Sequence, residues 1–246
     1  MAKRVAVVTG GIGGLGTEIC KSLAQAGHTV IAVDLEARAE RVAGFQRDVE
    51  GHDIHFVAAD VADYAACGAL VQDIEERHGS LDILVNNAGI TRDSTLRKMD
   101  RAQWDAVLDV NLGSAFNLCG HALAGMQARG FGRVVNISSV SGQTGNFGQT
   151  NYAAAKAGLH GFTMSLAREV ATKGITVNSI SPGYIETAMT GAMPVEIQAR
   201  IAASIPAGRM GQPGDIARTV AFLVDDAAGY ITGANIPVNG GLFMSF

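Results

Sequence analysis

Apolar and polar positions run along this chain in blocks. Short apolar runs rich in β-branched residues, with no polar face, alternate with longer stretches whose apolar residues recur three or four apart. The runs at 3–9, 28–34, 53–58, 81–86, 132–138, 175–181 and 235–238 read as strands, most of them buried on both faces. Helical spacing fills the gaps. The first helix follows the glycines at 10–16, with Ile19, Leu23 and Ala26 inward and Gly27 at its end. The spacing predicts further helices over 38–50 (Val42, Phe45 and Val49 on one stripe), 64–78 (Leu70 and Ile74 inward, Gly79 at the end), about 100–129, 152–173 (closed by Gly174) and 215–223. One stretch breaks the alternation. Residues 186–212 carry Gly and Pro among short apolar groups, which predicts short helices forming a mobile lid.

Strand–helix alternation of this kind predicts an α/β chain with a single-domain, doubly wound Rossmann fold over 1–246. It would have about seven parallel strands and helices on both faces. The 246 residues, 48% apolar and 17% charged, suffice for one large core. A net charge of −4 shows no basic excess and argues against nucleic acid or an anionic membrane as partner. No apolar run nears the ~20 residues that span a bilayer. The opening MAKRVAVVTGG lacks a signal-peptide cleavage pattern, and Cys20, Cys67 and Cys119 lie far apart without a C-x-x-C. Reduced, buried thiols and a cytoplasmic location are expected.

Thr9-Gly10 followed by Gly14 and Gly16 links the first strand to the first helix. Glycines there let backbone amides approach a pyrophosphate at the positive helix end. Gly10, Gly13, Gly14, Leu15 and Gly16 are therefore candidate dinucleotide contacts. Asp34 ends the second strand, where a carboxylate accepts from both ribose hydroxyls of NAD and repels a 2′-phosphate. NADH is favoured on that ground. Arg38 and Arg41 leave NADPH possible, unless they are only a solvated helix face. Asp60 and Val61, after strand three, are placed against the adenine. Asn86, Asn87, Ala88 and Gly89, after strand four, read as a turn passing close to the ribose. Turn stabilisation is an equal alternative for Asp60, Asn86 and Asn87.

Tyr152 and Lys156 share one helix face, and Ser139 leaves a strand end thirteen residues before Tyr152. A hydroxyl, a phenol and an ammonium converging at the carboxyl end of a strand make a proton-transfer site. The ammonium is expected to lower the phenol pKa. His52 and His55 flank Asp53 without a further ligand cluster and read as edge residues, so no metal is expected.

Together these motifs resemble the short-chain dehydrogenase/reductase family: the TGxxxGxG turn, NNAG at 86–89, Asn111, Ser139, YxxxK at 152–156 and Pro182-Gly183. GITRDSTLRKM, NFGQTNYAAAKAGLHGF and SPGYIETAM are similar to bacterial 3-oxoacyl thioester reductases, nearest those reducing acetoacetyl-CoA for polyhydroxybutyrate synthesis. Reductases of the acyl-carrier-protein thioesters of fatty-acid synthesis are the alternative, with Arg92, Lys98, Arg129 and Arg133 as docking candidates. A non-catalytic NAD-binding protein is a remote third, because Ser139, Tyr152 and Lys156 are all kept. The resemblance implies Tyr152 as general acid, Ser139 on the carbonyl oxygen, and Lys156 on the nicotinamide ribose. Asn111 would hold a relay water, or only stabilise a helix kink. Ser138 is implied to be structural. Pro182, Gly183, Ile185 and Thr187 would follow the nicotinamide. Asp93, Asn146, Phe147, Gln149 and Tyr184, with Ser139 and Tyr152, would meet an acyl-CoA thioester. Phe147 and Tyr184 would flank the acyl chain, unless they are core residues. A homotetramer paired through the helices at 100–129 and 152–173 is implied. The chain departs from the acetoacetyl-CoA reductase pattern at Asp34, where an acid is unusual, and at Asn146, where Gln is usual.

Overall fold

The strands form where the apolar runs predict them. The computed structural model describes residues 2–35, 39–191 and 193–244, so Arg38 lies outside the described residues. The first half contains β1 (Val5–Thr9), α1 (Gly14–Gln25), β2 (Thr29–Asp34), α2 (Ala39–Asp48), β3 (Ile54–Ala58), α3 (Tyr64–His78) and β4 (Ile83–Asn86). Then come α4 (Arg101–Leu108), α5 (Ser114–Arg129), β5 (Gly132–Ile137), α6 (Ser141–Thr144), α7 (Thr150–Val170) and β6 (Ile175–Pro182). The chain finishes with α8 (Ala188–Gly191), α9 (Val195–Ser204), α10 (Pro213–Val224) and β7 (Asn235–Val238). The sheet order is β3-β2-β1-β4-β5-β6-β7, parallel throughout. Strand order reverses between β1 and β4, the switch point beyond whose carboxyl strand ends a ligand crevice is expected in an open α/β sheet.

The period of two along each strand divides the core. Val5 and Val7 face α3, α5 and α7, packing with Leu70, Ile74, Leu118, Met126 and Val170. Ala6 and Val8 face α1, α2 and α10, packing with Ile19, Leu23, Phe45, Ile216 and Val220. Burying one such aliphatic side chain contributes about 1.5–3 kcal/mol, so both layers are needed to hold so polar a crevice. The three cysteines are free and buried, and burial pushes Cys20 up to about 12, Cys67 up to about 11 and Cys119 up to about 12. Among the described residues no helix is long and apolar enough to cross a membrane.

Two differences from the sequence reading matter. The single helix expected over 100–129 is divided by a π-helical turn at Asp109–Gly113. Asn111 causes the break. Its Nδ2 donates to the Val107 carbonyl at 2.8 Å and to the Ile90 carbonyl at 2.9 Å, replacing a ladder bond. The segment 186–212 does carry two short helices, and its ends are tied by a bridge between Ile185 and Gly211.

Polar side chains cross-tie the strands near the crevice. Asn136 on β5 is fully buried, accepts from Asn86 Nδ2 at 2.8 Å and donates to Thr163 Oγ1 at 2.9 Å. Asn86 is thus a structural tie between β4 and β5. Replacing Asn136→Leu leaves two buried polar groups short of a partner. It should destabilise by about 1–3 kcal/mol, read as a lower denaturant midpoint; an unchanged midpoint would contradict the tie.

Candidate active site

The glycine turn at the end of β1 is shaped by close approach. Gly10 has φ +62°, and a Cβ there would lie 3.0 Å from Asn87 Nδ2 and 3.1 Å from Ala88 Cα. A Cβ on Gly16 would overlap the Gly10 carbonyl oxygen. Gly13 caps α1 with no side chain, leaving the first amides of that helix uncovered. Above Gly14, the nearest atoms a Cβ would meet are on Thr187, at 3.8 Å. A bare helix N-terminus roofed by the residues after β6 fits a dinucleotide diphosphate. Gly13, Leu15, Gly183 and Ile185 border the same space. A Cβ on Gly183 would press on Asn239 Cα at 2.9 Å, and the Pro182 carbonyl is held by Val140 N at 2.8 Å.

Asp34 stands at the tip of β2. Its Oδ1 accepts from Leu35 N at 3.0 Å and its Oδ2 lies 3.6 Å from Arg41 Nη2. Arg41 therefore leans toward the carboxylate. Asp60 accepts from Ala62 N at 2.9 Å in a turn leading to the Asp63 cap of α3, while the Val61 carbonyl accepts from Asn117 at 3.0 Å. Asn87 spends its amide on the Thr9 carbonyl at 2.8 Å, and Ala88 N donates to Thr9 Oγ1 at 2.9 Å. Turn-stabilising bonds are thus observed for Asp60 and Asn87, while Asn86 ties β4 to β5.

On α7, Tyr152 and Lys156 lie one turn apart, with Lys156 Nζ 5.7 Å from the Tyr152 ring centre. The Ser139 hydroxyl accepts from Ser141 N at 3.1 Å and stands near enough to the phenol to lower its pKa. The expected electrostatics need correction. Burial raises the Tyr152 pKa, Ser139 lowers it, and Asp93 adds a smaller upward push. The Lys156 ammonium donates to the Ile137 carbonyl at 2.7 Å, 5.7 Å from the Tyr152 ring centre, and is not among the causes that shift the phenol. Burial in turn lowers Lys156 to about 8. Asn111 Oδ1 is buried with no partner among the described residues. A Cβ on Gly89 would lie 2.6 Å from that oxygen and 3.5 Å from Lys156 Nζ. Only glycine lets the two groups share this corner.

Across the mouth, Gln149 donates to Asp93 Oδ2 at 2.9 Å and accepts from Asn146 Nδ2 at 3.0 Å. These three expected substrate contacts form one chain. Phe147 is not a core residue. It is 89% exposed, between Gly145 and Gly148, whose φ of +71° and +76° turn the loop outward. Tyr184 is partly exposed beside the lid. Arg129 and Arg133 also need correction as docking residues. Arg133 is buried against the Gly132 and Gly174 carbonyls, and Arg129 is held by Glu75 and the Leu81 carbonyl. Both sit toward the end of the sheet away from the crevice. His55 pairs with Asp53 at 2.9 Å, and no metal-binding group of His, Cys, Asp and Glu occurs among the described residues.

Sequence reasoning passed over Asn151. It is fully buried, accepts from Tyr152 N at 2.8 Å and donates to the Arg92 and Gln103 carbonyls, each at 3.2 Å. It fastens the start of α7. A polar residue at an inward helical position was the available signal.

A family model described as enoyl-(acyl carrier protein) reductase matches residues 10–243. An acetoacetyl-CoA reductase of Allochromatium vinosum is 56% identical over 98% of this chain and 99% of its own. An acetoacetyl-CoA reductase of Cupriavidus necator is 50% identical over 99% of this chain and 100% of its own. A 3-oxoacyl-[acyl-carrier-protein] reductase of Haemophilus influenzae is 45% identical over the full length of both.

The buried ammonium has a measurable cost. An unfolded lysine keeps its proton to about pH 10.4, whereas folded Lys156 loses it near 8. Between those values the unfolded state binds more protons, so this group's cost is full below pH 8 and fades as pH rises. Lys156→Met in the cofactor-free protein should therefore gain stability at pH 7, on the order of 3 kcal/mol. The gain should shrink toward pH 10. A variant no more stable than the parent at pH 7 would contradict the burial argument.

Proposed function

Because the chain belongs to the short-chain dehydrogenase/reductase family, we propose that it is an acetoacetyl-CoA reductase, converting acetoacetyl-CoA to (R)-3-hydroxybutyryl-CoA for polyhydroxybutyrate synthesis. The observation that carries this reading is the meeting of Ser139, Tyr152 and Lys156 at the start of α7, in a chain whose β1–α1 turn leaves a bare helix N-terminus. Full-length similarity to proteins named for this substrate supports it at 50–56% identity, against 45% for the carrier-protein reductase.

When bound, the nicotinamide dinucleotide supplies the electron pair for the ketone carbon. The chain's residues do the rest. Gly10 to Gly16 and the α1 amides hold the diphosphate, Asp34 the adenosine ribose, and Thr187 the nicotinamide side. Tyr152 gives its proton to the ketone oxygen, and Ser139 donates to the same oxygen as charge develops. Burial keeps the phenol protonated at neutral pH, which suits an acid in the reductive direction. Lys156 holds the nicotinamide ribose and, with Asn111 Oδ1, a relay water that restores the Tyr152 proton. Asp93, Asn146, Gln149 and Tyr184 line the thioester entry.

NADH is the favoured cofactor, because Asp34 faces the ribose position and draws Arg41 onto itself. That ion pair is exposed and weak, so NADPH is accepted less well. Residues 1–246 act as one domain with a lid at 186–212. The protein works in the cytoplasm as a homotetramer paired through α4–α5 and α7, whose outer faces expose Phe116 and Met164. The carrier-protein reading loses Arg129 and Arg133 as docking groups.

Steady-state rates with acetoacetyl-CoA and acetoacetyl-carrier protein, each with NADH and NADPH, test the proposal. The CoA thioester with NADH should have the highest kcat/KM. Faster turnover of the carrier-protein thioester would favour the rival enzyme, and a strong NADPH preference would overturn the role given to Asp34.

A further inference from the structure

His160 lies one turn beyond Lys156 on α7 and does not touch the crevice residues Ser139 or Tyr152 directly. Its Nε2 is 2.8 Å from Ser138 Oγ and 3.2 Å from Ser181 Oγ. The hydrogen-bond count settles who donates. The Ser138 hydroxyl hydrogen goes to the Lys156 carbonyl at 2.8 Å, and a carbonyl only accepts. Ser138 Oγ thus faces His160 with a lone pair, and His160 Nε2 must carry the hydrogen. The Ser181 hydroxyl hydrogen goes to Asn235 Oδ1 at 2.9 Å, which also accepts from Ser179 at 3.0 Å. One imidazole N–H is therefore shared by the ends of β5 and β6. Burial keeps this imidazole neutral by lowering its pKa.

The segment 137–139 is clasped by Lys156 from both ends of that residue. The ammonium holds the Ile137 carbonyl at 2.7 Å, and the Lys156 carbonyl holds the Ser138 hydroxyl at 2.8 Å. Ser139 is next in the chain and stands beside the Tyr152 phenol, whose pKa it lowers. We propose that His160 is a positioning residue of this site: its Nε2–H orients Ser138 onto the Lys156 carbonyl and thereby fixes where Ser139 stands relative to Tyr152 and Lys156. Without that donor, Ser138 keeps a buried, unmatched lone pair and is free to rotate away from Lys156. The peptide leading to Ser139 loses one of its two clasps to Lys156, keeping the Ile137 contact and the backbone bonds of Ser138 and Val140 to β6. Misplacement of a reacting group by about 1 Å costs on the order of 100-fold in rate.

This inference rests on the reductase reading, and the experiment separates the two. The full-length parent, His160→Leu, His160→Gln, Ser138→Ala and the Ser138→Ala/His160→Leu double variant are compared. Readouts are kcat and KM for acetoacetyl-CoA, NADH affinity by fluorescence titration, and the thermal midpoint. His160→Leu should lower kcat about 10- to 100-fold with KM and NADH affinity within about threefold. His160→Gln places an amide N–H at the same reach and should recover kcat to within about threefold of the parent. On the Ser138→Ala background, His160→Leu should add less than about twofold, because the pathway through Ser138 is already gone. Parental kcat in His160→Leu overturns the proposal. So does a loss that Gln does not rescue and that adds in full to Ser138→Ala. If His160→Leu does not fold, Ser138→Ala alone decides: a lower kcat with unchanged NADH affinity supports the link, and parental kcat overturns it. An inactive parent overturns the reductase reading and this proposal with it.

Discussion

The site depends on one costly contact: the Lys156 ammonium buried between β5 and α7, with a backbone carbonyl and no carboxylate as its partner. Desolvating a cation is unfavourable unless its donors are used. The surrounding structure is arranged around that need. Gly89 has no side chain, so Lys156 and Asn111 share a corner. Gly142 lets the chain after β5 press on the α7 backbone, where a Cβ would lie 2.8 Å from Ala157 N. The π turn presents Asn111 inward at the cost of a regular helix. A stable core of parallel strands on both sides carries the expense.

The crevice divides into two kinds of surface. The side proposed for the cofactor is backbone: glycines, helix amides and turns whose polar side chains, such as Asn87 and Asp60, are spent on shaping the chain. The side proposed for the substrate is side-chain chemistry: Asp93, Gln149 and Asn146 joined in a row, with Tyr184 near Gly211 at the lid's end. On the proposed reading, backbone suits a diphosphate, and the polar row suits the thioester.

Much of this was legible in the sequence because it follows from periodicity. The seven strands needed only continuous apolar runs, the end of α3 only Gly79, and the helix face shared by Tyr152 and Lys156 only a spacing of 3.6, while α7 stops at Val170 and Gly174 closes a further 3-10 turn. What could not be read depends on burial and on contacts between distant segments. The Tyr152 phenol is raised rather than lowered, because desolvation is a property of the packed site and Lys156 points to Ile137. Phe147 turns outward because two glycines with positive φ flank it. The π turn and the inward use of Asn151 arise from carbonyls that only the fold brings near, and the inward use of His160 from the hydroxyls of Ser138 and Ser181. Arg133 reads as a surface cation and is instead a buried clamp on the strand starts.

The central claim is that Tyr152 delivers the proton while the rest of the site binds and aligns. The direct measurement is the single-turnover rate of NADH oxidation by acetoacetyl-CoA in the Tyr152→Phe variant, alongside its NADH dissociation constant. The chemical step should fall by about 10²–10⁴-fold, with the dissociation constant within about threefold of the parent. A Phe variant that oxidises NADH at the parental rate would contradict the claim.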